Sequence, residues 1–282
     1  MPRTRPTPTS SGLRRVVILV LSVLFLACTD RVVAQADCPA VDARCGLRER
    51  LVAAENYLAD RPGTVGFVLR DRATGARYRN ADAATPIWTA STIKLAMVAD
   101  LLSREQSGIV RLTATDRQQM VAMLRSSDNA AADALWSTYG GTANVFNANF
   151  PRYGMTGVRP QPGFGEVYPY WGFQKGTADD FDALMNYVLD NLSPADSAAV
   201  VAEMQRVEAA QRWGVWGAGP AMAPGAKNGW SQEQGGWVVN SVGFAGPQQR
   251  YTLSVMNTLG GAGGYDDGVE TVTNLARILL SP

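Results

Sequence analysis

Residues 90–108 read ASTIKLAMVADLLSREQSG. Ile93, Ala96, Met97, Leu101 and Leu102 recur at helical spacing, and Gly108 closes the run. Ser91 falls in the first turn of this predicted helix and Lys94 three residues later on the same face, so hydroxyl and amine can meet. A helix start also offers free N–H groups and partial positive charge, which favour an oxyanion and bias a nearby lysine towards its neutral, basic form. Taken alone, the same four residues describe a capping serine and a solvated lysine equally well.

Composition narrows the choice. The chain has 282 residues and no histidine, which excludes a Ser-His-Asp triad, a Cys-His pair and histidine-ligated zinc or haem. Cysteine occurs only at Cys28, Cys38 and Cys45, too few for a four-thiolate metal site. A nucleophilic enzyme built from this chain must therefore take its base from lysine, a carboxylate, tyrosine or an amine. No cofactor and no metal are expected. From residue 28 onward 22 basic residues face 25 acidic ones, so a basic face for nucleic acid is not expected.

At the N-terminus, Arg14-Arg15 precedes the twelve-residue apolar run VVILVLSVLFLA, Val16 to Ala27. Twelve helical residues rise about 18 Å, short of a ~30 Å hydrocarbon core, so the pattern is that of an export signal. Two ends remain open: a lipobox-like Phe25-Leu26-Ala27-Cys28, with lipid on Cys28, or cleavage after Ala34-Gln35-Ala36 to free Asp37. The protein is expected outside the cytoplasm, secreted or lipid-anchored on the outer face of the membrane, and as a monomer. In that compartment Cys38 and Cys45 are expected to close as a small disulfide.

Along the remaining chain, a helix is predicted from Ala40 to Asp60, a strand from Thr64 to Arg70 and its hairpin partner from Ala76 to Arg79. Helices follow at about Thr115–Leu124 and Asn129–Tyr139, then from Thr177 to near Asn191, and from Ser193-Pro194 to Gly214. Strands are predicted at Gly236–Ala245 and Tyr251–Asn257, and a closing amphipathic helix at Asp266–Leu280. Strands flanking a run of helices make an α+β protein, an antiparallel sheet flanked by helices plus an all-helical subdomain. The division is residues 1–36 as export segment, 37–90 with 215–282 as sheet subdomain, and 91–214 as helical subdomain. Asp266, Asp267 and Glu270 fit a helix start rather than a cation site. Trp213, Trp216, Trp230 and Trp237 are read as core before cleft lining.

Two more motifs share the chain with Ser91-Thr-Ile-Lys94. Ser127-Asp128-Asn129 lies between two predicted helices, and Lys227-Asn228-Gly229 opens a predicted strand, with Gly229 allowing close backbone approach. All three in this order resemble the penicillin-recognising serine enzymes, and most closely the class A β-lactamases, over roughly Val41 to Leu280. Leu112 to Met120, leading into Ser127 to Leu135, resembles that family's central helical pair, and Gly235 to Asn240 its next strand.

The resemblance implies an acyl-enzyme chemistry on a β-lactam or a peptidoglycan-like small molecule. Ser91 would be the nucleophile, Lys94 its base, and Ser127 the proton shuttle. Asn129, Lys227, Asn228 and Trp230 would hold substrate, and the N–H groups of Ser91 and Trp230 would form the oxyanion hole. The sequence departs from the family in a short Ser91–Ser127 interval, in Asn228 for a hydroxyl residue and in the large Trp230. It also lacks an E-x-x-L-N loop, leaving Glu166 as the carboxylate available for deacylation. A D-alanyl-D-alanine carboxypeptidase-like enzyme and a non-catalytic envelope binding protein are the rival readings.

Overall fold

A computed structural model describes residues 43–162 and 169–281. The export segment, Cys28, the Cys38–Cys45 pairing and Glu166 lie outside the described residues. The centre is a five-stranded antiparallel sheet of β1 (Thr64–Asp71), β2 (Ala76–Arg79), β6 (Gly225–Glu233), β7 (Gly236–Ala245) and β8 (Tyr251–Thr258), in the order β2-β1-β8-β7-β6. Both ends of the described chain build it: β1 pairs with β8 from Thr64↔Thr258 to Asp71↔Tyr251.

Strands β1, β7 and β8 are buried at nearly every position because both faces are covered. On one face lie α1 (Ala43–Ala59) and α8 (Tyr265–Leu280), with Val272, Leu275, Ala276 and Leu279 packed with Phe67, Leu69 and Val255. On the other, Val68, Val242, Phe244 and Met256 join the helical layer. The edge strand β2 is four residues long and carries Arg77 and Arg79, a form that discourages further pairing.

The helical layer is organised around α2 (Ile93–Gln106), buried on all sides from Ile93 to Leu102. Around it stand α3 (Ala114–Arg125), α4 (Asn129–Thr138), α5 (Val145–Asn149), α6 (Ala178–Asp190) and α7 (Pro194–Gln205). Their starts are set by capping: Thr113 with Asp116 and Thr177 with Asp180 form reciprocal boxes, while Asp128 and Ser193 accept from the N3 amides. A small second sheet joins β3 (Ile87–Trp88), β5 (Gln174–Gly176) and β4 (Arg159–Pro160).

Three details differ from the sequence reading. Helix α7 stops at Gln205 rather than Gly214. Beyond it Glu208 N–H bonds to Arg125 O, and the chain passes through short 3-10 turns to Gly214, whose φ of +67° and N–H bond to Thr273 Oγ1 turn it towards α8. The small sheet was missed because strands of two or three residues carry no measurable alternation. Ser91 lies in a 3-10 turn, Ala90–Thr92, that precedes α2 rather than in its first α-helical turn.

Candidate active site

The serine turn is conformationally unusual. Ala90 takes φ +45°, a left-handed value that costs a residue with a Cβ about 1–2 kcal/mol, and Thr92 N–H closes the turn onto Thr89 O at 3.1 Å. Strand β6 lies directly against it. A Cβ on Gly229 would stand 2.6 Å from Thr92 N and 2.8 Å from Ser91 N, so only glycine admits this approach. Because β6 is an edge strand, half of its N–H groups are left unused by the sheet beside Ser91.

Lysine occurs three times in the whole chain, at Lys94, Lys175 and Lys227, against 23 arginines. Two of the three are buried and converge on one hydroxyl. Lys227 Nζ donates to Ser127 Oγ at 2.9 Å and to Asn228 O at 2.7 Å. Lys94 Nζ donates to Ser127 O at 2.6 Å and to Asn129 Oδ1 at 2.7 Å, and lies 3.5 Å from Ser127 Oγ. Ser127 makes this possible by adopting φ +61° between α3 and α4. That conformation turns its carbonyl to one amine while the hydroxyl reaches both.

Neither amine forms a salt bridge among the described residues. Burial therefore favours their neutral forms. It pulls Lys94 down to about 8, against the opposing pull of Asp128 and Asp133. It lowers Lys227 well below the usual lysine range, with the nearby Lys94 charge acting in the same sense. Two buried amines with little charge compensation are costly to keep, and such groups concentrate where chemistry is done.

Not every residue named from the sequence is drawn in. The Ser91 hydroxyl, half-buried, makes no hydrogen bond to any described residue. Asn228 faces the opposite side of β6: its Nδ2 donates to Gln211 O at 2.8 Å and Trp213 O at 3.3 Å, and its Oδ1 accepts from Ser241 Oγ at 2.7 Å. With its amide so used, Asn228 does not present a donor to the Ser127 side. The Trp230 ring also lies away from Lys227, 5.8 Å from Trp213 and 5.9 Å from Tyr265, and so does not narrow the cleft between Ser91 and Ser127. Strand alternation explains both: Lys227 and Gly229 share one face, Asn228 and Trp230 the other. Trp237 belongs to the same ring cluster, 5.7 Å from Tyr265.

One neighbour of the site went unnoticed in the sequence. The Trp171 ring centroid lies 4.5 Å from Lys94 Nζ, and the ring N–H donates to Asp133 Oδ1 at 2.7 Å. No spacing rule marks it; a tryptophan after Tyr170 in a proline- and glycine-rich stretch carries no periodic signal. The third lysine, Lys175, stands 4.9 Å from the Trp88 ring at a cavity of about 570 Å³ at the C-terminal end of β6, which Glu233 also lines.

No family model matches the chain. A Mycobacterium tuberculosis protein named "Putative lipoprotein LppW" is 32% identical over 230 residues, 77% of this chain and 71% of its own length. Its Mycobacterium bovis counterpart gives the same values. Among solved structures, a β-lactamase from Streptosporangium roseum superposes with a TM-score of 0.68 at 18% identity, over 82% of this chain and 97% of that one. A β-lactamase from Xanthomonas campestris gives 0.67 at 21%, over 83% and 96%. An ancestral class A β-lactamase gives 0.66 at 21%, over 82% and 98%. The chain belongs to the family of these LppW proteins and carries the β-lactamase-like fold of the penicillin-recognising serine enzymes.

Proposed function

We propose that this protein is an exported serine hydrolase that opens β-lactam amide bonds through an acyl-enzyme on Ser91. The observation that carries the reading is the convergence of two buried lysines, Lys94 and Lys227, on Ser127 Oγ. In the neutral form that burial favours, Lys94 accepts the Ser91 proton as Oγ attacks the lactam carbonyl carbon. The strained C–N bond breaks, the leaving nitrogen takes the Ser127 hydroxyl proton, and the Lys94 ammonium returns one to Ser127. The Ser91 and Trp230 N–H groups would face the oxyanion. A carboxylate on the substrate would lie against Lys227 and restore its charge by supplying the counter-ion that the free site lacks.

Hydrolysis of the resulting ester needs a water with a base beside it. The sequence lacks the family's E-x-x-L-N loop and offers only Glu166 in that segment, so the acyl-enzyme is expected to be long-lived. The name of the LppW relatives and the position of Cys28 together favour attachment to the outer membrane face through lipid on Cys28.

The second reading, a non-catalytic envelope protein that binds a cell-wall ligand, draws on Ser91 and Asn228. The serine hydroxyl has no bond to Lys94, and the Asn228 amide is used internally. Intact mass after incubation with a penicillin separates them. A stable or transient mass increase that disappears in Ser91→Ala supports the hydrolase; an unchanged mass in the wild type supports the binding protein.

A further inference from the structure

In its protonated form Lys94 has three N–H bonds. Two go to Ser127 O and Asn129 Oδ1, and the third comes no closer than 3.5 Å to Ser127 Oγ. What lies over the amine otherwise is the face of Trp171, itself 5% exposed. The ring is held from several sides. Its N–H bonds Asp133 Oδ1 at 2.7 Å, and the Tyr170 hydroxyl bonds the same oxygen at 2.6 Å. The flanking backbone is tied by Trp136 Nε1 to Pro169 O at 3.2 Å and by Gln174 Nε2 to Tyr170 O at 2.8 Å.

We propose that Trp171 is a positioning residue for Lys94: fixed by Asp133, its ring seals the flank of the amine that no polar group among the described residues occupies and keeps water from it. An indole face attracts an ammonium, which steadies the amine, yet it offers far less solvation than the waters it displaces. Burial, the largest influence on Lys94, acts in the direction of the second effect. Among the described residues, the charged groups that face the amine are Asp128 at the α4 start, Asp133 within α4 and Lys227 of β6. Removing the indole also frees the Asp133 carboxylate that its N–H bonds; Trp171→Phe loses that bond but keeps the apolar face, so the Phe and Ala variants together separate solvation from charge. The same seal bars a hydrolytic water from approaching Lys94 on that side. This inference deepens the Ser91 acyl-enzyme reading, but its decisive measurement does not depend on it.

Three lysines in the chain mean three side-chain signals. In protein labelled with carbon-13 lysine, the ε-carbon shifts follow each amine through its titration, with the half-buried Lys175, remote from Ser127, as the internal reference. Trp171→Ala is expected to raise the Lys94 midpoint by at least about one pH unit from near 8, and Trp171→Phe, which keeps an apolar ring, to leave it close to the wild type. Should the alanine variant fail to fold, Trp171→Gln leaves a smaller void than alanine while bringing a polar group to the flank, and the same rise is expected. A folded Ala or Gln variant with an unmoved Lys94 midpoint overturns the proposal, as does a Phe variant that shifts as far as Ala. Labelling with a fluorescent penicillin across pH provides the second readout, its midpoint moving with that of Lys94. If no variant and no wild-type protein is labelled, the hydrolase reading fails while the titration still decides the role of Trp171.

Discussion

Gly229 lies so close to Ser91 that a single added Cβ would stand 2.8 Å from the Ser91 nitrogen. The edge strand and the nucleophile turn are therefore fixed against each other by the absence of a side chain. Gly229→Ala must push β6 or the turn aside, at an overpacking cost of about 1–3 kcal/mol. The variant is expected to fold with a lowered Tm and to lose penicillin labelling by a hundredfold or more. Thermal melts and labelling rates measure both; a variant labelled at the wild-type rate would show that the close approach has no part in the chemistry.

Ser91→Ala is expected to abolish covalent labelling without loss of stability, since the hydroxyl it removes bonds no described residue. Circular dichroism and intact mass provide the comparison. Residual acylation in this variant would place the nucleophile elsewhere.

Lys94 carries a stability consequence that can be read with pH. Its folded-state value, about 8, lies below the unfolded 10.5, so protonation favours the unfolded chain. The penalty is present in full below pH 8, shrinks between 8 and 10.5, and vanishes above. Lys94→Met removes it at neutral pH, against which stand the lost bonds to Ser127 O and Asn129 Oδ1. The expected net result at pH 7 is stabilisation by about 1 kcal/mol with complete loss of labelling. Urea titrations at pH 7 and pH 10 decide it: the gain over wild type should be smaller at pH 10.

Asp182 anchors α6 to the sheet through Arg70, at 2.6 and 3.2 Å, and Arg77, at 2.7 Å, while itself 2% exposed. Removing the acid leaves Arg70 without its charged partner while Arg77 keeps Asp179, so Asp182→Asn is expected to cost about 2 kcal/mol. Labelling by penicillin at a temperature where the variant is folded should remain at the wild-type rate, because neither arginine reaches the Ser127 cluster.

Attachment to the envelope is tested at Cys28. Cys28→Ser is expected to move the protein from the membrane fraction to the soluble one, and the wild-type N-terminus to carry a diacylglyceryl group. A wild-type chain that starts at Asp37 and is wholly soluble would assign export without an anchor.

Much of the frame was legible because it is written in local signals. The β1–β2 hairpin, β7 and the closing helix were placed within a residue or two from alternation, turn residues and helical stripes. Ser91, Lys94, Ser127, Asn129 and Lys227 stood out because histidine is absent and three short motifs occur in order. What stayed hidden depends on tertiary contact. The side of β6 taken by Asn228 and Trp230 follows from which face Lys227 buries, and nothing local reports that Asn228 bonds Gln211 O. Trp171 reaches Lys94 only because Asp133, 38 positions earlier, holds its ring. Helix α7 ends early through a bond between Glu208 and Arg125 that no stripe or cap announces.

The scarcity of lysine has an electrical consequence. Arginines keep their charge at any pH a cell meets, there is no histidine to titrate near neutrality, and burial holds the tyrosines Tyr78 and Tyr139 protonated up to about 12. The arginines and these two tyrosines thus hold their charge state near pH 8, where the Lys94 amine beside Ser127 changes its own. A ligand that docks there changes the proton count of the whole molecule, so proton uptake measured in weakly buffered solution becomes a label-free gauge of occupancy.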